Sequence, residues 1–256
     1  MRWLGRERSE RRIRLETTHR LYGAYSQVRL VGHGLGPGSV CLEAGVGEGS
    51  MLRWLAEQAG PAGRVIGVDL DDRFFARNEG PNVELQCADI RDIEVAPRSV
   101  DFIHARNFLM FIPDTRALLG RFYDWLRPGG VVVLSEIDFR FPVVASGVGQ
   151  VYNRLCEAFV RRVAERGGDA TLGTRLHEVL RSVGFERVDA SGDFPIVVPG
   201  GDAAQLMSLN VETLQLLMND PPDAPEVYEE LIAELPRGEV VRTCHTQTTT
   251  WGQRPV

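Results

Sequence analysis

Apolar and polar positions change rhythm three times along the chain. Over residues 1–30 the period is helical: Leu15, Thr18, Tyr22, Tyr25 and Val28 recur at three- and four-residue spacing. Gly32 to Gly38 is a glycine-rich connector ending in Pro37-Gly38. Short apolar runs then alternate with helical segments. Strands are predicted at Val40–Glu43, Arg64–Leu70, Val83–Ala88, Val100–Ala105 and Val131–Ile137. Helices are predicted at Ser50–Ala59, Asp72–Asn78 and Asp114–Leu126, the last with Leu118, Phe122 and Trp125 on one face and Pro128-Gly129-Gly130 as its stop. Val131–Ile137 is apolar enough to be buried on both faces, as in a parallel sheet. The alternation predicts an α/β fold with a doubly wound sheet.

Beyond residue 139 the rhythm loosens. Helices are expected at Gln150–Arg166 and Leu172–Val183, an extended stretch at Arg187–Val198, and helical segments at 202–219 and 223–235 around Asp220-Pro221-Pro222. The Thr- and Val-rich end reads as a closing strand, Thr243–Gly252.

Composition narrows the classes. The 256 residues carry a net charge of −6, against a general phosphate-backbone binder. There is no lysine. Seven arginines and three glutamates interleave in the first 20 residues, which reads as a solvated helix face. Cys41, Cys87, Cys156 and Cys244 lie far apart, so neither a metal site nor a disulfide framework is indicated; Cys41 and Cys87 read as small core residues. No apolar run reaches membrane-spanning length and the N-terminus lacks a secretory pattern. A cytoplasmic location is expected.

The first strand runs into VCLEAGVGEGS, residues 40–50. A strand, a glycine turn and a helix start let backbone N–H groups approach a ligand. The dinucleotide fingerprint G-x-G-x-x-G is not met, because position 50 is Ser. Asp69, at the end of the second strand, can accept hydrogen bonds from a ribose diol. Glu43 beside the loop would repel a pyrophosphate and suit a ligand bearing an ammonium, such as S-adenosylmethionine. The alternative is that Glu43 caps the next helix and the glycines only make a tight turn. Asp89 and Ile90, after the third strand, can meet an adenine amino group and ring face.

E-x-G-x-G-x-G, G-V-D at 67–69, A-D-I at 88–90 and L-R-P-G-G at 126–130 together resemble the class I S-adenosylmethionine-dependent methyltransferases, most of all the small-molecule branch of the ubiquinone/menaquinone-biosynthesis type. The resemblance covers residues 36–138 closely and 172–192 loosely. It implies a Rossmann-like methyltransferase fold: a seven-stranded, mostly parallel sheet whose last strand is antiparallel, with a helical cap. It implies a cap segment at 1–36, a methyltransferase domain at 37–256, and cap insertions at about 139–170 and 199–239. In that family the loop of Ala44, Gly45, Gly47 and Gly49 passes the methionine part of the cofactor, Glu43 lies near its ammonium, Asp69 binds the ribose with Leu70 beside the adenine, Asp89 and Ile90 hold the adenine, and Arg106 lines the methionine end. Two departures stand out. Val46 and Glu48 replace a cysteine and threonine common in the loop, and Phe111 stands where many relatives carry a histidine.

The implied reaction is methyl transfer from S-adenosylmethionine, giving S-adenosylhomocysteine, to O, N or C of a small apolar or aromatic acceptor, in the style of bacterial secondary metabolism. Base candidates, if one is needed, are Asp138, Glu136 and His104. For Asp138 the competing reading is a helix cap or an ion pair with Arg140, and for His104 a satisfied core histidine. Phe111, Phe139, Phe141, Met207 and Trp251 are expected to wall the acceptor pocket, with Phe108, Met110 and Phe194 as further candidates. The partners expected are a small molecule and, as one option, a second copy of the chain, with no nucleic acid and no membrane. Rival readings are a nucleic-acid methyltransferase, for which Asp220-Pro221-Pro222 lies too far from the fourth strand, a nicotinamide oxidoreductase, and a domain that binds the cofactor without turnover.

Overall fold

A computed structural model describes residues 8–74, 80–145, 147–217, 225–237 and 241–256. Asp220-Pro221-Pro222, the first seven residues and the end of the helix expected at 72–78 lie outside the described residues. The strands are β1 (Val40–Ala44), β2 (Arg64–Asp69), β3 (Val83–Cys87), β4 (Val100–Arg106), β5 (Leu126–Ile137), β6 (Glu186–Asp193) and β7 (Gln247–Gln253). They form one sheet in the order β3-β2-β1-β4-β5-β7-β6. All pairs are parallel except β5 with β7 and β7 with β6. This is the doubly wound, seven-stranded fold that the alternation and the motifs imply.

The helices are α1 (Arg8–Gly32), α2 (Ser50–Ala59), α3 (Thr115–Trp125), α4 (Gln150–Ala164), α5 (Leu176–Val183), α6 (Asp202–Leu217) and α7 (Pro225–Glu234). Alternate residues of β1 serve opposite faces of the sheet. Cys41 packs with Leu30 of α1 and with Leu52 and Leu55 of α2. Leu42 and Ala44 pack with Leu118 and Phe122 of α3 and Leu180 of α5. A third apolar cluster joins α4, α6 and α7 to Tyr22 of α1, above the carboxyl ends of the strands. Local chemistry sets the helix ends. Asp114 caps α3 by accepting from the Ala117 N–H at 3.1 Å, and Gly184 ends α5 at φ 113°.

The long helix α1 departs from its apolar reading. Val28 is exposed, and the inward face continues instead through Ser26, Arg29 and Leu30. Ser26 Oγ bonds Ser135 Oγ of β5 at 2.8 Å, which bonds Thr249 Oγ1 of β7 at 2.9 Å. The Arg29 guanidinium stacks 4.2 Å over the Trp251 ring. Polar contacts thus dock much of this helix on the sheet, and a hydrophobic period sees only part of its face. Cys87 is exposed, contrary to the core reading, because β3 is an edge strand. Among the described residues no helix is long and apolar enough to cross a membrane.

Candidate functional site

Strand order reverses between β1 and β4, and ligands of such sheets bind in the crevice beyond the carboxyl ends there. A cavity of about 210 Å³ occupies that crevice. Its floor is the glycine loop after β1. Gly45 sits at φ +80°, and a Cβ there would lie 2.5 Å from Cδ2 of Phe108. Gly47, at φ +60°, donates its N–H to Asp69 Oδ2 at 2.9 Å, and Gly45 donates to the Val68 carbonyl at 2.9 Å. Only glycine takes these angles without strain, so the backbone itself lines the floor. Gly49 stands back from the wall and caps α2 in the left-handed conformation, and Ala44 belongs to the core beneath. Glu48 is buried and anchors the start of α2, accepting from the Ser50 N–H and hydroxyl and from Arg53.

Glu43, Gly45, Gly47, Asp69, Leu70, Asp89, Ile90 and Arg106 all line this cavity. Asp69 also accepts from the Asp71 N–H at 3.0 Å, and burial lifts its carboxyl above the ordinary value despite both N–H bonds. Glu43 Oε2 meets His104 Nδ1 at 2.6 Å, across the β1–β4 register. Arg106 closes the floor at the end of β4. Its Nη2 pairs with Nδ1 of His19 at 3.2 Å. Burial, with Arg106 beside it, presses the His19 pKa down to about 4, so the neutral ring accepts this bond. Arg106 Nη1 is buried with no hydrogen-bond partner among the described residues.

The roof comes from α1 and α6, with an aromatic back wall of Phe111, Phe139, Tyr152 and Phe159. Arg11, Arg14, Leu15, Thr18 and Tyr22 form one stripe of α1 along the cavity. The solvated-face reading therefore fails for Arg11 and Arg14. Leu15 lies over the glycine loop, its methyl 3.7 Å from where a Cβ of Gly47 would stand. Arg11 pairs with Asp71 at 2.5 Å, at the β2 end of the cavity. From α6 come Leu206, Asn210, Thr213 and Leu214. None of these roof residues carries a motif, and helical spacing from Leu15 to Thr18 and Tyr22 was the signal for the α1 stripe.

The base candidates lie elsewhere. Asp138 is fully buried, and its carboxylate accepts from the Arg140 N–H, Nε and Nη2 and from the Thr174 hydroxyl. Burial would raise its pKa, but these bonds outweigh it and hold the group below its ordinary value. Asp138 is a structural clasp, as its competing reading had it. Glu136 lies on the α3/α5 side of β5 and accepts from the Phe108 and Leu109 N–H groups at 2.8 and 2.6 Å. Burial pushes its pKa up to about 7 against those bonds. His104 is buried against Glu43, its Nε2 without a partner among the described residues, and does not reach the wall.

Of the five acceptor-wall candidates, Phe111 and Phe139 are on the wall, together with Phe108 and Met110. Met207 packs inside the cap cluster, Trp251 lies under Arg29 on the sheet, and Phe141 is half exposed. Phe194 is exposed too. Met207 and Trp251 follow the packing faces of their own elements, and Phe141 and Phe194 lie in connecting segments outside the helices and strands.

One local device recurs: an aspartate near a strand end followed two residues later by an arginine. Asp71–Arg73, Asp89–Arg91 and Asp138–Arg140 each close into a clasp, with the arginine N–H and guanidinium on the same carboxylate. Asp69, followed by Asp71 rather than Arg, is not clasped. The D-x-R spelling was visible in the sequence and separates Asp138 from Asp69.

Residues 42–134 match the methyltransferase domain family. The arsenite methyltransferase of Halobacterium salinarum is 31% identical over 110 residues, 40% of this chain and 28% of that one. The trans-aconitate 2-methyltransferase of Deinococcus radiodurans is 25% identical over 232 residues, 86% of this chain and 88% of its own length. The structure of Haemonchus contortus phosphoethanolamine N-methyltransferase 2, in complex with phosphomonomethylethanolamine and S-adenosylhomocysteine, superposes with a TM-score of 0.59 at 18% identity, covering 94% of this chain and 56% of that one. The chain spans less than a third of the length of the arsenite enzyme it matches. The sheet order is that of the Rossmann-like methyltransferase fold, and residues 42–134 match a methyltransferase domain, a family that uses S-adenosylmethionine. The residues present fit that cofactor: a floor open only because it lacks Cβ atoms, a carboxylate at the end of β2, and an orphaned guanidinium nitrogen on Arg106.

Proposed function

We propose that this protein transfers a methyl group from S-adenosylmethionine to a small acceptor with an apolar or aromatic body. The observation that carries this reading is continuity. The cavity over the glycine floor runs on between Phe111, Phe139, Tyr152 and Phe159 without a break. The names of the relatives support a small acceptor, since arsenite and trans-aconitate are small molecules.

The cofactor, when bound, supplies a methyl group already activated on a sulfonium. The chain's own residues bind and orient. Asp69 accepts from the ribose diol, Glu43 faces the ammonium, Asp89 and Ile90 meet the adenine, and Arg106 Nη1 takes the cofactor carboxylate. The aromatic wall excludes water and holds the acceptor in line. No carboxylate or histidine belongs to the acceptor half of the wall among the described residues, and burial raises the Tyr152 hydroxyl well above its usual pKa. The reaction therefore runs on alignment, with an attacking atom that already carries a lone pair.

Titration calorimetry with S-adenosylhomocysteine, using NADH as control, tests the reading. The expected result is binding of the former alone, weakened by about 1–3 kcal/mol in Asp69→Ala, the scale of lost bonds to a charged group. Binding of NADH alone, or an unchanged affinity in Asp69→Ala, overturns it.

A further inference from the structure

The roof holds a cation that the cofactor does not require. Helices α1 and α6 run antiparallel. Arg20 pairs with Asp202, and the Thr17 hydroxyl lies 3.4 Å from Gln205 Oε1. Three residues back along α1 thus match three residues forward along α6. The next step of this register sets Arg14 level with Ser208, with Asn210 and Thr213 further along the same helix. Arg14, Asn210 and Thr213 all line the cavity.

Neighbouring arginines are spent within the protein. Arg11 pairs with Asp71, Arg12 with Glu16, Arg20 with Asp202 and Arg53 with Glu48. The Arg14 guanidinium has no hydrogen-bond or ion-pair partner among the described residues, and its Nε is buried. Burial and the adjacent Arg11 lower its pKa to about 10, as expected for a cation that lacks a counter-charge. An unpaired buried charge is costly, and a ligand anion relieves that cost. The cofactor's own carboxylate has its partner in Arg106, at the end of β4 on the sheet side. Arg14 instead lines the cavity from α1, as Asn210 and Thr213 line it from α6.

We propose that Arg14, with Asn210 and Thr213, is the anchor for a carboxylate on the acceptor, so that the acceptor is an apolar or aromatic acid. This deepens the methyl-transfer reading and rests on it. The Arg14 guanidinium carries one charge, and Arg11 is held at Asp71, a carboxylate it shares with Arg73. A carboxylate matches that one charge, whereas a dianionic phosphate exceeds it. A planar carboxylate also matches the fork of donors that arginine offers.

The test is calorimetry on wild-type protein saturated with S-adenosylhomocysteine. The probes are 3-phenylpropanoate, its amide, cinnamate, octanoate and 3-phenylpropyl phosphate. The acid is expected to bind about 10- to 100-fold tighter than its amide, the range for a charge-assisted pair. Arg14→Gln should abolish that preference and Arg14→Lys retain part of it, both leaving affinity for S-adenosylhomocysteine within about twofold. Equal binding of acid and amide, no binding by any of the acids, or a preference for the phosphate overturns the carboxylate anchor. So does a tenfold loss of S-adenosylhomocysteine affinity in Arg14→Gln, which would hand Arg14 to the cofactor. Repeating the acid and amide titrations without cofactor keeps the two ideas apart. Failure of wild type to bind S-adenosylhomocysteine strikes the methyl-transfer reading, while the preference for acid over amide still stands or falls by itself.

Discussion

Glu136→Gln should make this protein more stable, and increasingly so as the pH rises. The Glu136 side chain is fully buried, and its folded pKa stands near 7 against an ordinary value of 4.5. The fold thus favours the neutral acid. Stability is complete below the unfolded value of 4.5 and is lost as pH climbs towards 7, because only the unfolded chain releases the proton in that window. The gap is about 2.5 pH units, and at 1.36 kcal/mol per unit it amounts to about 3 kcal/mol above pH 7 and about 1 kcal/mol at pH 5. Glutamine removes the ionisation and keeps an oxygen for the Phe108 and Leu109 N–H groups. Urea unfolding of both proteins at pH 5 and pH 8 should therefore show the variant's advantage growing by about 2 kcal/mol. In a chain of this size that is on the order of 5 °C in melting temperature at pH 8. A pH-independent difference, or a variant less stable at pH 8, would refute a buried, proton-hungry Glu136. Affinity for S-adenosylhomocysteine should not change, since Glu136 holds the turn at Phe108–Phe111 from below and does not line the cavity.

Gly45→Ala should cost at least tenfold in S-adenosylhomocysteine affinity by calorimetry, because its Cβ enters the Phe108 ring and the residue must keep φ +80°; wild-type affinity in that variant would show the floor to be pliable. Asp138→Asn should lower stability by about 1–3 kcal/mol through loss of the Arg140 clasp while leaving cofactor affinity intact and turnover of any accepted acceptor within about twofold. Since the fold holds Asp138 below its ordinary value, its contribution is present at neutral pH and fades as pH falls below 3.8. A collapse of turnover in a stably folded Asp138→Asn would restore it as a base.

The placement of the residues around the glycine loop was legible because it is written locally. Glycines at 45 and 47 are demanded by positive φ, and Asp69 and Asp89 sit at strand ends where any doubly wound sheet presents them. The mostly parallel, seven-stranded sheet followed from one resemblance and from one apolar run, Val131–Ile137, whereas the strand order was not read from the sequence. The roof was not legible, for a physical reason. Arg11 and Arg14 differ from solvated arginines such as Arg12 only through the tilt of α1 on a sheet whose last strand lies more than 200 residues away. Thr17 and Ser26 are buried polar residues, so the apolar period of α1 understates its inner face. Met207 and Trp251 are large and apolar, but nothing local says which of two packed faces they join. His19 was overlooked because its partner, Arg106, lies on another element.

The sheet order also bears on when its parts can assemble. β6 is synthesised before β7, yet it touches the sheet only through β7, which lies between β5 and β6. Tyr22, on the cavity roof, bonds the His245 carbonyl and Cys244 just ahead of β7, 223 and 222 positions along the chain. During translation β6 therefore gains its strand neighbour only once β7 has been made, and the Tyr22 bonds that tie the cavity roof to the segment ahead of β7 form no earlier.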